Sequence, residues 1–410
     1  MSTAGRLPAR TLAVFHLAET SGPSRSLEAE LRWLAGEGAV DVVVPGVGEL
    51  LGSGVAATYG DFARVTGLGY EALTLPREPL GAVAALRRGA RETRMFRSLI
   101  RERRPDLVLV SSVMLPAALI AARRERVPAI AYAGELFPGT GEPGAGGGVA
   151  TAVRGLAGRS VAGLAGSLAD AVLACSRTVA EQYARSRRAE VAVLYPSIPD
   201  LSGGDGPAFR KRFEIGPDER VVAAVGNVTE NRAQDVLIGA LPAIRAQVPK
   251  ARVVIAGAPH PRPQDLAYRD GLGALAERLG VAGAVTFIGH QDDIGDLLAA
   301  ADVVVNPRRA GEAFGRVPAE ALVAGVPVVA AREGAVAEVL RDGETALLVA
   351  PGDAAALARA TIRMLSDATL RERLVAEGRR DVARRFSPER SLAEFRRVVE
   401  LVAARAAAPR

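Results

Sequence analysis

The 410-residue chain suits two α/β domains better than one, and with 49% hydrophobic but only 4% aromatic residues its cores must be filled by Ala, Val and Leu. All but two of the 52 basic residues are arginine and the net charge is +6. With abundant Ala, Gly and Pro, this reads as a GC-rich bacterial composition rather than as nucleic-acid binding, for which zinc-finger spacing and RNA-binding aromatics are missing. The lone Cys175 excludes an intramolecular disulfide and a cysteine metal cluster, and suits a reducing cytoplasm.

The chain opens on an apolar run, Thr11–Ala18, which His16 breaks and which makes a poor signal peptide. The strand Thr11–Leu17 runs into Thr20–Ser24, a turn centred on Gly22. At a strand end that turn reads either as a ligand contact or as a plain βα turn capped by Ser24. His16 ends the strand, as an acceptor contact or as a structural histidine. A helix over Arg25–Leu34 and a strand over Val40–Val44 follow.

The helical stretch Leu80–Glu102 carries Arg87, Arg88, Arg91, Arg94, Arg97 and Arg101 at helical spacing. Arg87, Arg91 and Arg94 would give weak peripheral contact with anionic lipid, or simply a solvated face. The longest apolar stretch, Leu107–Ala122, holds Ser111, Ser112 and Pro116. It falls short of the roughly 18 apolar residues a spanning helix needs, so it reads as strand, turn and helix in a soluble, cytoplasmic protein. Strands Ala129–Tyr132 and Ala171–Ala174 flank the glycine-rich segment Pro138–Gly148, either a lid over a ligand or a bare connection.

The alternation then restarts. Strands are expected at Val221–Val225, Val253–Ala256, Val285–Ile288, Val303–Asn306, Val326–Ala330 and Ala346–Val349, with helices at Ala233–Gln247 and Leu266–Leu279. Two βα series predict two Rossmann-like domains built on parallel sheets. The reading is an N-terminal domain over 1–195, a C-terminal domain over 196–385, and a tail over 386–410 whose helix Pro388–Ala406 crosses back to the N-terminal domain.

The chemistry concentrates in Asn306–Val329. A strand enters a loop holding Gly311, Glu312, Ala313, Phe314 and Gly315, and a helix follows with Pro318 in its first turn and Gly325 at its end. A helix N-terminus at a strand end favours a bound phosphate. Glu312 and Glu320 lie at different depths of one pocket, where carboxylates suit a hydroxyl-rich ligand.

The E-x7-E pattern around Phe314-Gly315, followed by Gly325-Val326-Pro327-Val328-Val329, resembles the signature of the family 4 retaining glycosyltransferases. The likeness runs from about Val221 to Ala350, through VTFIGHQDDIGDLLAAADVVVNP and GAVAEVLRDGETALLVAPGD, and is loose in the first half. It implies the GT-B fold, two Rossmann-like domains facing a central cleft. Glu312 would hold donor-sugar hydroxyls, and amides near Ala313, Phe314 and Gly315 the sugar and diphosphate. Glu320 would accept from the ribose, and the base would sit near His290. Gly22 occupies the place of the family's first glycine loop. In Gly226–Gln234, Arg232 keeps the family's lysine as a cation, whereas Asn227 replaces its arginine. Arg308 or Arg309 would compensate, unranked. Where relatives place a histidine, Glu135 stands here as acceptor orienter or base.

The function this implies is hexosyl transfer, with retention, from a nucleoside-diphosphate sugar to an acceptor hydroxyl. UDP is favoured over GDP, and the setting is natural-product or cell-envelope glycan synthesis. With no D-x-D motif, no metal or other cofactor is expected. The competing reading is a non-catalytic nucleotide-sugar-binding or scaffold protein, with Asn227 marking lost chemistry. A nicotinamide oxidoreductase lacks its glycine fingerprint here.

Overall fold

The computed structural model describes residues 7–17, 26–46, 55–73, 79–137, 149–291 and 293–408. The chain forms two compact units, Met1–Ser197 with Pro388–Arg410, and Ile198–Ser387.

The first unit is built on seven parallel strands: β1 (Arg10–Val14), β2 (Ala39–Pro45), β3 (Arg64–Leu68), β4 (Leu107–Val110), β5 (Ala129–Ala133), β6 (Ala171–Ala174) and β7 (Glu190–Val193). Their order is β3-β2-β1-β4-β5-β6-β7. All four residues of β4 and of β6 are buried, as expected for central parallel strands covered on both faces. The order reverses between β1 and β4, which pair from Thr11↔Leu107 to Val14↔Val110. Ligands of open α/β sheets bind beyond the strand C-termini at such a switch point.

The second unit has six parallel strands, β8 (Arg220–Val225), β9 (Ala251–Ala256), β10 (Val285–Gly289), β11 (Val303–Asn306), β12 (Val328–Ala331) and β13 (Leu347–Val349). They run in the order β10-β9-β8-β11-β12-β13, which puts its switch point between β8 and β11. Its core is aliphatic, with Val222, Leu237, Leu241, Ile255, Val305 and Val329 all within 1% of full burial.

The last helix, Pro388–Ala407, belongs to the first unit and packs on helix Glu28–Glu37. Ser391 donates to Glu30 at 2.6 Å, Trp33 meets Phe395 edge-on at 6.0 Å, and Arg405 pairs with Glu190 at 3.1 Å. Strands β3 and β7, absent from the sequence reading, are sheet edges. Their residues are mostly half-exposed, so neither shows a continuous apolar run.

On helix Pro79–Arg103, Arg87, Arg91 and Arg94 are exposed. Arg88 pairs with Glu71 at 2.9 Å, and Arg97 and Arg101 hold Glu125 at 2.6 and 2.8 Å. Among the described residues no helix is long and apolar enough to cross a membrane.

Candidate functional site

In the second unit the loops after β8, β11 and β12 converge on Glu312. After β8, Gly226 takes φ 135°, and a Cβ there would lie 3.0 Å from the Arg232 guanidinium carbon. Glycine therefore lets Arg232, from the short turn Glu230–Arg232, fold back over the strand end. After β11, Gly311 (φ 75°) and Gly315 (φ 102°) bracket Glu312 and turn the chain into helix Arg316–Val323.

The Glu312 carboxylate is buried. Its Oε2 lies 3.5 Å from Arg308 Nη1 and 3.9 Å from Arg232 Nη1, and accepts from Asn306 Nδ2 at 3.5 Å. The Glu312 N–H donates to Glu333 Oε2 at 2.8 Å, and its carbonyl accepts from Ala335 N–H at 2.8 Å. Arg308 is fixed by donating to the carbonyls of Ala310 (2.9 Å) and Gly311 (2.6 Å), leaving a buried Nη1 without a hydrogen bond. Burial, then the like charge of Arg308, pushes the Arg232 guanidinium down to about 10, with Glu312 opposing. Two cations thus crowd one carboxylate oxygen.

Arg309 points elsewhere. It grips Asp235 with both terminal nitrogens, at 2.7 and 2.5 Å, and its N–H donates to the Asn231 carbonyl at 2.9 Å. Tyr268 also donates to Asp235 at 2.6 Å. Between the two arginines the sequence left unranked, Arg308 reaches Glu312 and Arg309 laces the β8 and β11 loops together.

Glu320 is buried and paired with Arg316 of its own helix, at 2.9 and 3.1 Å. The Phe314 ring is buried edge-on against Phe386 at 5.1 Å, so only its backbone is left to meet a ligand, while Ala313 is half-buried beside it. Asn227 is exposed, with Nδ2 3.1 Å from His260 Nε2, a neighbour that sequence reading overlooked. His290 is exposed, and its carbonyl accepts from Gln291 at 2.8 Å.

In the first unit, the ends of β1, β4 and β5 carry a second polar cluster. His16 Nδ1 and N–H each lie 3.3 Å from the Ser111 hydroxyl, and burial pushes the imidazole down to about 4, so it is neutral at pH 7. Ser112 donates to Glu135, which also accepts from Gly134 N–H at 3.0 Å. Burial drives the Glu135 carboxyl up to about 7 against those hydrogen bonds. Gln182 holds the Glu135 carbonyl at 2.9 Å. Ser111 and Ser112 carried no motif that would have revealed them. Gly22 and the segment 138–148 lie outside the described residues. Among the described residues there is no group of three or more His, Cys, Asp or Glu that could hold a metal.

Two all-parallel α/β units, the second with a carboxylate–arginine cluster before a helix N-terminus, are the architecture of the GT-B fold. Residues 205–381 match the family model described as glycosyl transferases group 1, and residues 20–200 match the one described as glycosyltransferase family 4. The two matches adjoin and together span most of the chain, and both are to glycosyltransferase family models.

It is 34% identical to D-inositol 3-phosphate glycosyltransferase of Mycobacterium marinum over 52% of this chain and 47% of that protein. The Mycobacterium bovis protein of the same name is 39% identical over 39% of this chain and 33% of its own length. The chain thus spans half or less of the curated relatives it matches. Among solved structures it resembles Anabaena HepE with UDP and glucose (TM-score 0.74, 20% identity, 94% of this chain and 98% of that one). It also resembles sucrose-phosphate synthase of Thermosynechococcus elongatus (TM-score 0.74, 19% identity, 97% of this chain and all of that one).

Proposed function

We propose that the protein is a retaining, metal-independent glycosyltransferase that moves a hexosyl group from a UDP-sugar, or a GDP-sugar, to an acceptor hydroxyl. The observation that carries this reading is the doubly cationic setting of Glu312. One carboxylate oxygen faces Arg232 and Arg308, at the C-terminal ends of β8 and β11 where nucleotides bind in sheets of this kind. The carboxylate accepts from sugar hydroxyls. The guanidiniums and the amides near Ala313, Phe314 and Gly315 offset charge on the departing diphosphate, which grows in the transition state. Glu320 takes the ribose, and the base lies near His290. HepE, whose structure contains UDP and glucose, supports UDP as the nucleotide.

In the first unit, Glu135 with Ser112, and His16 with Ser111, receive the acceptor. A carboxyl near its midpoint at neutral pH both orients a hydroxyl and accepts its proton. A transfer assay over UDP- and GDP-hexoses in the presence of EDTA tests the proposal. Product with the α configuration is expected, at an undiminished rate with EDTA. Binding of nucleotide sugars with neither transfer nor hydrolysis points to the non-catalytic scaffold. Activity lost to EDTA and restored by magnesium overturns the diphosphate assignment.

A further inference from the structure

Beside Glu312 stands a second carboxylate that no motif marks. Glu333 follows β12, is half-buried, and accepts the Glu312 N–H through Oε2 at 2.8 Å. The Ala335 N–H, two residues on, holds the Glu312 carbonyl at 2.8 Å, so this loop grips the Glu312 peptide from both sides. The charges are unevenly shared. Both nearby guanidiniums, Arg232 at 3.9 Å and Arg308 at 3.5 Å, address Glu312 Oε2. The neighbour of Glu333, Arg332, turns instead to Asp342 at 3.2 Å. Among the described residues Glu333 has no ion-pair partner, and its stabilisation comes from a single backbone amide.

An ionised carboxylate only accepts hydrogen bonds. Held 2.8 Å from the backbone N–H of the residue proposed to hold the sugar, it favours groups that donate, hydroxyl or amine, and repels an anion. We infer that Glu333 is a specificity-determining residue of the donor site, selecting neutral or amino hexoses and rejecting hexuronic acids. The inference rests on the donor reading above and deepens it. Positioning and charge are separable in one residue. Glu333→Gln keeps a side-chain oxygen to accept the Glu312 N–H but removes the charge, whereas Glu333→Ala removes both.

The test is calorimetric titration of the full chain with UDP, UDP-glucose and UDP-glucuronate. Like-charge juxtaposition at a partly desolvated contact is strongly unfavourable, so wild type should prefer UDP-glucose over UDP-glucuronate by about 30-fold or more. Glu333→Gln should bring that ratio to about threefold, with UDP and UDP-glucose affinities little changed. Glu333→Ala should collapse the ratio as well and weaken UDP-glucose, because the Glu312 turn loosens. A ratio unaltered in folded Glu333→Gln, or wild type binding both sugars equally, overturns the inference while leaving the donor reading intact. A wild type that binds neither UDP and UDP-glucose nor GDP and GDP-hexoses overturns the donor reading, and this inference with it.

Discussion

Removing Arg232 should have opposite effects on the empty and the ligand-bound protein. In an ordinary buried ion pair, deleting one partner costs about 3–5 kcal/mol, because the other charge is stranded. Glu312 is not stranded when Arg232 goes, since Arg308 remains 3.5 Å away. The Arg232 cation is itself held uncomfortably, its pKa pushed down to about 10 by burial and by Arg308. At ~1.4 kcal/mol per pH unit that is a penalty of about 3 kcal/mol relative to an ordinary arginine. The lost packing of three methylenes, ~0.8 kcal/mol each when buried, offsets most of it. Ligand-free Arg232→Ala should therefore unfold within about 1 kcal/mol of wild type. With donor diphosphate bound the penalty becomes an attraction. The stabilisation by UDP should shrink, and turnover at saturating donor should fall about 100-fold, the scale of losing one preorganised stabiliser. Arg232→Lys should recover part of the rate, since a point charge remains without the guanidinium fork. The assays are thermal unfolding with and without UDP, and steady-state transfer. A variant that loses several kcal/mol when empty, or that UDP stabilises as well as wild type, would refute the argument that Arg308 alone can hold Glu312.

Glu135, pushed up to about 7 by burial, should impose an acid limb on kcat/KM near pH 7, activity rising as the carboxyl ionises. The stability sign is the reverse, because a raised carboxyl pKa favours the folded state at low pH. That contribution is complete below the ordinary carboxyl value and lost as pH climbs through about 7. Glu135→Gln should flatten both profiles, and an identical acid limb in the variant would show that another group titrates. Glu320→Ala should weaken nucleotide binding by roughly 1.5–3 kcal/mol with a smaller effect on kcat. Calorimetry showing unchanged nucleotide affinity would remove Glu320 from the ribose site.

Three buried strands, Leu107–Val110, Ala171–Ala174 and Val303–Asn306, were legible to the residue, because helices covering both faces demand apolar runs. Others were read with displaced ends: Thr11–Leu17 was expected where the strand is Arg10–Val14, and Val326–Ala330 where it is Val328–Ala331. The edge strands β3 and β7 were not legible, since one-sided exposure admits Arg64, Thr66 and Glu190 into the run. In the site, Glu312, Glu320 and the glycines that turn the loop were readable from one contiguous motif. The partners were not. Glu333 and Arg308 reach Glu312, and His260 reaches Asn227, through contacts that folding creates and that leave no periodic trace. The distinction between Arg308 and Arg309, adjacent in sequence, depends on which way each side chain leaves the loop. Arg316, one turn before Glu320, was open to helical-spacing logic and overlooked.

Because helix Pro388–Ala407 completes the first unit, the second unit is an insertion within the first. Residues 198–387 form a continuous stretch, so every residue of that unit is made before the last helix. The first unit is not continuous in this way. Until the last helix arrives, Trp33 lacks the Phe395 ring it packs against, and Glu30, whose carboxyl burial raises, lacks the Ser391 hydroxyl. Synthesis therefore completes the residues of the later-coded unit before those of the earlier-coded one. The chain crosses between units twice, at 197–198 and 387–388, so after a nick at the first, Met1–Ser197 keeps hold of the last helix only through packing, and a nick at the second cuts that helix from everything before it.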